Sequence, residues 1–293
     1  MSRQPKRAPK RLGVYFLAND RVYDLTVAFL NSFRLSNPEI ELCMIPYDAN
    51  SKRVIGLRHS YDFSLLDDED LFRNCDNVGK LFHNQVVGQY RKLAAWAGIF
   101  DEFIYIDVDT LVLKNVDFCF QFLPEYDFVL SHSNIETIRR WVWKESIFAS
   151  GELLDDQINF AANTGFIISR KGALCRSQIA SAAEKALKLA PHMELLCAEQ
   201  PFLNYLIVTS GRPYTSLHVL KHKGGLNLPE EIWAGTPGGV VNAGQVWFGN
   251  GREPLLLHWA GEWQPRGSGQ IINSDMPYRN FWVHYRHLRK ELR

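Results

Sequence analysis

Two aspartates, Asp107 and Asp109, close the apolar run FIYI in the segment FIYIDVDTLVLKNVD, residues 103–117. A strand buried on both faces reads as unbroken Val, Ile and Leu, so carboxylates at its end call for solvent or a cationic partner. Side chains two apart on a strand project to one side, which lets both carboxylates grip a single divalent cation. Hard oxygen donors suit Mg²⁺ or Mn²⁺, ions that neutralise a diphosphate. Taken alone, the pair fits a solvated turn equally well.

Elements able to position such a pair are legible upstream. LGVYFLA (12–18) has the composition of a buried strand. Asn19 and Asp20 then offer capping oxygens to a helix on which Tyr23, Val27, Leu30 and Arg34 recur at helical spacing. IELCMIPYD (40–48) reads as a second strand and HNQVVGQYRKLAAWAGI (83–99) as a helix with Val86, Tyr90, Leu93 and Ala97 on one face. The aspartate segment becomes the third strand. This alternation predicts an α/β protein with a mostly parallel, Rossmann-like sheet flanked by helices. Ligands of such sheets sit beyond the carboxyl ends of the strands, where Asn19, Asp20, Asp107 and Asp109 all fall.

Further strands are expected at 127–133 and 164–170, and helices at 172–190 and 199–208. The Gly- and Pro-rich stretch 223–244 reads as a loop over a site. Trp141, Trp143, Trp233 and Trp263 lie in loop-like regions, where covering the core is the expected role; Trp263 is a site candidate.

Composition narrows the classes. The chain of 293 residues is 46% hydrophobic and 13% aromatic, enough to bury a large core, and its formal net charge of +1 gives no field for nucleic acid. No window approaches the length of a spanning helix. Five scattered cysteines lack zinc-knuckle spacing and read as reduced thiols of a cytoplasmic protein. Residues 1–11 hold five Lys or Arg and no acid, a composition that predicts a disordered tail. FWVHYRHLRKELR at the carboxyl end reads as a basic amphipathic helix, which packs on its own domain or contacts an anionic membrane.

The order of several motifs carries a stronger signal than any one of them. KLAAWAGIFDEFIYIDVDTLVLKNVD contains Lys92, Leu93 and Trp96, then Asp107, Asp109 and Thr110. FLANDRVYD, NTGFIISRKG, EQPFLNYL and LLLHWAGEWQPR flank it in sequence order. Together they resemble the retaining family-8, glycogenin-like glycosyltransferases over most of residues 12–266. The resemblance implies a GT-A nucleotide-diphospho-sugar transferase fold, a nucleotide-sugar donor, most often a UDP-sugar, and Mn²⁺ or Mg²⁺ as cofactor. It implies transfer with retention to an acceptor hydroxyl that it does not name.

Residue by residue, the resemblance makes Asp107, Asp109 and His258 the metal ligands. It assigns donor binding to Leu17, Ala18, Asn19 and Tyr23 after the first strand, to Lys92, and to Val108 between the aspartates. Gly261 belongs to the same donor set, as does position 264, where Gln264 stands in place of the family's lysine. Arg266 is the candidate for the missing charge. Asn163, Glu199 and Gln200 are the candidate catalytic groups, with Glu199 alternatively capping its own helix. The implied organisation is a single domain over 12–293: a nucleotide-binding half (12–117), an acceptor half (118–270) and a carboxyl-terminal helix (271–293).

Two rivals follow from the same residues. Asp-x-Asp after a buried strand also opens the haloacid-dehalogenase phosphatases, but Leu111 replaces their Thr or Val and the motif follows the third strand, not the first. A catalytically silent sugar-nucleotide or carbohydrate binder is the other, and Gln264 is its best support.

Overall fold

The computed structural model describes residues 9–242, 245–249, 254–261 and 274–288. Its first strands are β1 (Leu12–Ala18), β2 (Glu41–Pro46), β3 (Phe63–Leu65), β4 (Glu102–Ile106) and β5 (Thr110–Val112). They are followed by β6 (Phe128–Leu130), β7 (Phe166–Arg170), β8 (Tyr214–Ser216) and β9 (Glu230–Trp233), then β10 (Val240–Asn242), β11 (Gln245–Trp247) and β12 (Pro254–His258).

Seven strands form the main sheet in the order β3-β2-β1-β4-β7-β6-β8. Strand β1 alternates in period two, sending Tyr15 and Leu17 into one core cluster and Val14, Phe16 and Ala18 into another on the opposite face. The chain moves outward from β1 to β2 and β3 in parallel steps, then returns to β4 on the other side of β1. That reversal of strand order opens a crevice at the carboxyl ends of β1 and β4.

The sheet is mixed beyond β4. Strand β7 runs antiparallel to both β4 and β6. Its amino end therefore lies beside the carboxyl end of β4, which brings Asn163, Thr164 and Gly165 to the aspartates. A smaller sheet, β5-β12-β9, continues from the same point, with β12 antiparallel to β5 and parallel to β9.

Several expectations are corrected. The segment 83–99 is not one α-helix: an α-helix spans Glu69–His83 and a 3₁₀ run spans Gly88–Ala97. In the 3₁₀ run Tyr90, Leu93 and Trp96 share an edge at a spacing of three and are buried, whereas Val86 and Ala97 are exposed. The helix Glu69–His83 lies outside the elements expected from the sequence, although Asp68 caps it by accepting from Leu71 N at 2.8 Å. The stretch 223–244 is not all loop, since β9 and β10 form within it. Lys10 and Arg11 are tied down: Lys10 pairs with Glu102, and Arg11 with Glu41 at 2.6 Å. Residues 1–8 of the expected tail lie outside the described residues.

The carboxyl-terminal helix Arg279–His287 packs on the domain. It buries Phe281, Trp282 and Tyr285, and the Asn31 amide donates to Tyr285 O at 2.7 Å. Arg289, Lys290, Leu292 and Arg293 of the expected basic helix lie outside the described residues.

Asn204, fully buried in the helix Gln200–Thr209, fastens that helix to the segment leading into β7. Its Oδ1 accepts from Ala162 N at 2.7 Å and its Nδ2 donates to Ala162 O at 2.9 Å. Asn204→Leu leaves both backbone groups without partners, at about 1–3 kcal/mol each. The urea midpoint is expected to fall accordingly with an unchanged slope; an unmoved midpoint would show that the fastening adds no stability.

Candidate functional site

Asp107 and Asp109 do not alternate along one strand. The chain leaves the main sheet at Ile106 and joins the smaller one at Thr110, so Asp107, Val108 and Asp109 form a turn between sheets. Three hydrogen bonds to its backbone fix this turn. Asp107 N donates to Gly165 O at 2.8 Å, Thr110 Oγ1 to Asp107 O at 2.7 Å, and Trp259 N to Asp109 O at 3.0 Å.

Register brings the histidine in. His258 pairs with Thr110 across β12 and β5, which sets its Nε2 3.2 Å from Asp109 Oδ1. Single donor atoms from Asp107, Asp109 and His258 all lie within 4.8 Å of one another. Two hard oxygens and one imidazole nitrogen suit a divalent cation, with the nitrogen favouring Mn²⁺ over Mg²⁺. Gly165 makes the approach possible: a β-carbon there would lie 2.6 Å from His258 Cε1 and 3.1 Å from Asp107 Oδ2.

Beneath the aspartates sits a buried cation. Lys92 Nζ lies 3.0 Å from Asp107 Oδ2 and 2.6 Å from Glu199 Oε1. Burial disfavours its charge, but the two carboxylates outweigh that and raise its pKa above the ordinary lysine value. Burial also raises the Glu199 carboxyl, with Lys92 pulling it back. Tyr105 donates to Asp107 Oδ1 at 2.7 Å, and burial followed by the Asp107 charge pushes its hydroxyl pKa well up. Both oxygens of Asp107 are thus held from below. Glu199 makes no side-chain cap to its helix; it receives Lys92 and Thr164 Oγ1 instead.

One functional carboxylate escapes the sequence reading. Glu231 Oε1 lies 2.5 Å from His258 Nδ1, and Asn163 Nδ2 donates to the same oxygen at 3.0 Å. Burial disfavours the charge on Glu231, yet His258 and His132 override it and hold its pKa far below the carboxylate range. His258 is raised in turn, burial being overcome by Asp109 and Glu231. A carboxylate on Nδ1 fixes the ring and leaves Nε2 for a cation. The signal in LPEEIW is weak, because two adjacent acids read as solvated loop until β9 pairs with β12.

The other predicted residues fall as follows. Leu17, Ala18 and Val108 are buried wall at the strand ends. Asn19 Nδ2 donates to Asp48 Oδ2 at 2.8 Å, linking the ends of β1 and β2. The Tyr23 ring carries the Arg53 guanidinium 4.4 Å from its centroid. Gln200 is bound at both ends of its amide, accepting from Thr164 N at 3.2 Å and donating to Trp141 O at 3.0 Å. Gly261 takes a φ of +86°, a left-handed turn that glycine adopts freely. Trp263, Gln264, Pro265 and Arg266 lie outside the described residues. Trp143 covers the core as expected, but Trp141 and Trp233 do not: they are 60% and 48% exposed.

No family model matches the chain, and no curated protein matches it in sequence. Solved structures do match in fold. The galactosyltransferase LgtC, crystallised with donor and acceptor sugar analogues, superposes with a TM-score of 0.60 at 12% identity, over 94% of this chain and 95% of LgtC. The chain has the GT-A glycosyltransferase fold. GlyE of Streptococcus pneumoniae matches with a TM-score of 0.51 at 15% identity, over 94% of this chain and 60% of GlyE. The bifunctional glycosyltransferase WbbM matches with a TM-score of 0.51 at 11% identity over 97% of this chain. The chain spans about half of WbbM, 51% of its length.

Two variants separate the supports. Lys92→Met strands two carboxylates, one fully buried, and is expected to cost about 3–5 kcal/mol in chemical denaturation. Adding Glu199→Gln should recover part of that loss, and failure to recover any would mean the two groups are not coupled. Glu231→Gln removes the charge behind His258 and should weaken divalent-cation affinity roughly 10–100-fold by titration calorimetry, with the fold retained. Unchanged affinity would remove the orienting role.

Proposed function

We propose that the protein is a metal-dependent glycosyltransferase that moves a sugar from a nucleotide-sugar donor, a UDP-sugar first among them, to an acceptor hydroxyl with retention. The observation that carries this reading is the convergence of Asp107, Asp109 and His258 at the end of β4, where strand order reverses on a GT-A fold. That LgtC was solved with donor and acceptor sugar analogues supports a nucleotide-sugar donor here.

The reaction breaks the bond between C1 of the sugar and the diphosphate oxygen. An acceptor oxygen bonds to C1 on the same face, and its proton passes to the departing diphosphate. Asp107, Asp109 and His258 would hold Mn²⁺ or Mg²⁺, whose charge offsets that gathering on the diphosphate. The chain's own residues set the geometry in advance. Lys92 and Tyr105 hold Asp107 from below, and Glu231 holds the His258 ring. Glu199 acts through Lys92 and is a positioning residue. Asn163 and Gln200 are the partly exposed polar groups beside the cation ligands, suited to orienting sugar and acceptor hydroxyls.

Trp141, whose carbonyl holds Gln200, and Trp233, two residues along β9 from Glu231, offer exposed flat faces to sugar rings. No helix among the described residues is long and apolar enough to cross a membrane. We place the protein's work in the cytoplasm, where its five free cysteines stay reduced.

Incubation with UDP-sugars and Mn²⁺ is expected to give slow donor hydrolysis without any acceptor. Asp109→Asn should abolish metal-dependent donor binding, measured by calorimetry. If no nucleotide sugar binds in the presence of metal, the transferase reading fails; binding without any turnover favours the silent binder.

A further inference from the structure

A second group of metal-type donors stands next to the first and meets it where His132 Nδ1 lies 3.9 Å from Glu231 Oε2. The helix Leu217–His222 carries His218 and His222 one turn apart on one face, with ring centroids 4.3 Å apart. His132 lies beyond β6, its ring centroid 5.4 Å from that of His218. Register explains the meeting. Strands β6 and β8 run parallel with Leu130 opposite Ser216, so His132 and His218 each stand two residues past the paired ends. His218 N also donates to Ser131 O at 3.0 Å.

Glu230, at the start of β9, supplies the carboxylate. Its Oε1 lies 2.8 Å from His222 Nε2 and 3.8 Å from His218 Nδ1, and its Oε2 lies 3.0 Å from Lys221 Nζ. Donor atoms of His132, His218 and Glu230 all fall within 4.8 Å of one another.

An ordinary ion cluster needs one cation for this carboxylate, and Lys221 already supplies it on Oε2. Three imidazoles gathered at the other side exceed that need. His218 Nδ1 is buried without a hydrogen-bond partner, and 3.8 Å to Glu230 is too long to count as one. Small movements about a shared ion would bring these atoms to ligand distance.

We propose that His132, His218, His222 and Glu230 form a second cation site, selective for a borderline divalent ion of the zinc type. Donor chemistry separates the two sites. Two carboxylates and one imidazole at Asp107, Asp109 and His258 suit Mn²⁺ or Mg²⁺, whereas an imidazole-rich set with one carboxylate suits Zn²⁺. The consequence is mechanical. Glu230 and Glu231 are neighbours on β9, so an ion on Glu230 anchors the strand that holds His258 through Glu231.

The test uses the tag-free full chain, stripped by chelator and then saturated with Mg²⁺ to occupy the oxygen-rich site. Zn²⁺ should bind as one further equivalent and raise the melting temperature. Co²⁺ in its place should give a visible absorption band. The variant carrying His218→Gln and His222→Gln should bind Zn²⁺ at least 10-fold more weakly, while Asp109→Asn keeps the additional equivalent. Absence of that equivalent in Asp109→Asn, or its persistence when His218→Gln and His222→Gln are added to that background, overturns the site. If circular dichroism finds the double variant unfolded, His132→Gln is read instead. An unchanged Zn²⁺ affinity in that variant overturns the site equally.

Discussion

Four carboxylates, Asp107, Asp109, Glu199 and Glu231, are drawn into a small volume at one edge of the main sheet, and the structure depends on how their charge is balanced. One lysine and one histidine do it. Lys92 lies between Asp107 and Glu199, and His258 between Asp109 and Glu231. Each pair would be costly if either partner were missing, because an unpaired charge cannot be left in a dry interior. The balance is local and directional. Glu199 turns inward to Lys92 and Glu231 to His258, while the side chains of Asp107 and Asp109 stay partly exposed.

Strand polarity is what assembles this arrangement. A wholly parallel sheet would send the amino end of β7 to the far edge, away from the aspartates. Because β7 runs against β4, Gly165 meets Asp107 directly, and the absence of a side chain there gives His258 its space. The smaller sheet acts likewise. Strand β5 begins immediately after Asp109, so β12 and β9 inherit a register that sets His258 and Glu231 beside it.

Legibility in the sequence followed the range of the signal. Strand β1, the helix after it and the strand before Asp107 were legible because their apolar periodicity is local. The order of KLAAW, D-x-D, NTG, EQ and HWAG marked residues that the fold does bring together. The 3₁₀ run Gly88–Ala97 was not legible, since Tyr90, Leu93 and Trp96 satisfy spacings of three and nearly satisfy helical ones. The sequence offers Glu199 as a catalytic group or a helix cap because its partner, Lys92, lies far away in sequence. Core cover is the expected role of Trp141 and Trp233, yet exposure depends on neighbours that no local pattern names.

The sequence by itself determined β1, β2, β4, β6 and β7, the α/β alternation and the candidate pair Asp107 and Asp109, because residue type and short spacing encode those directly. Tertiary structure alone decided that the aspartates sit on a turn between two sheets, that Lys92 faces two carboxylates, and that Glu230 and Glu231 turn to different histidines. Each of these rests on strand pairing between segments distant in the chain. Pairing direction and register, not composition, set which charges meet.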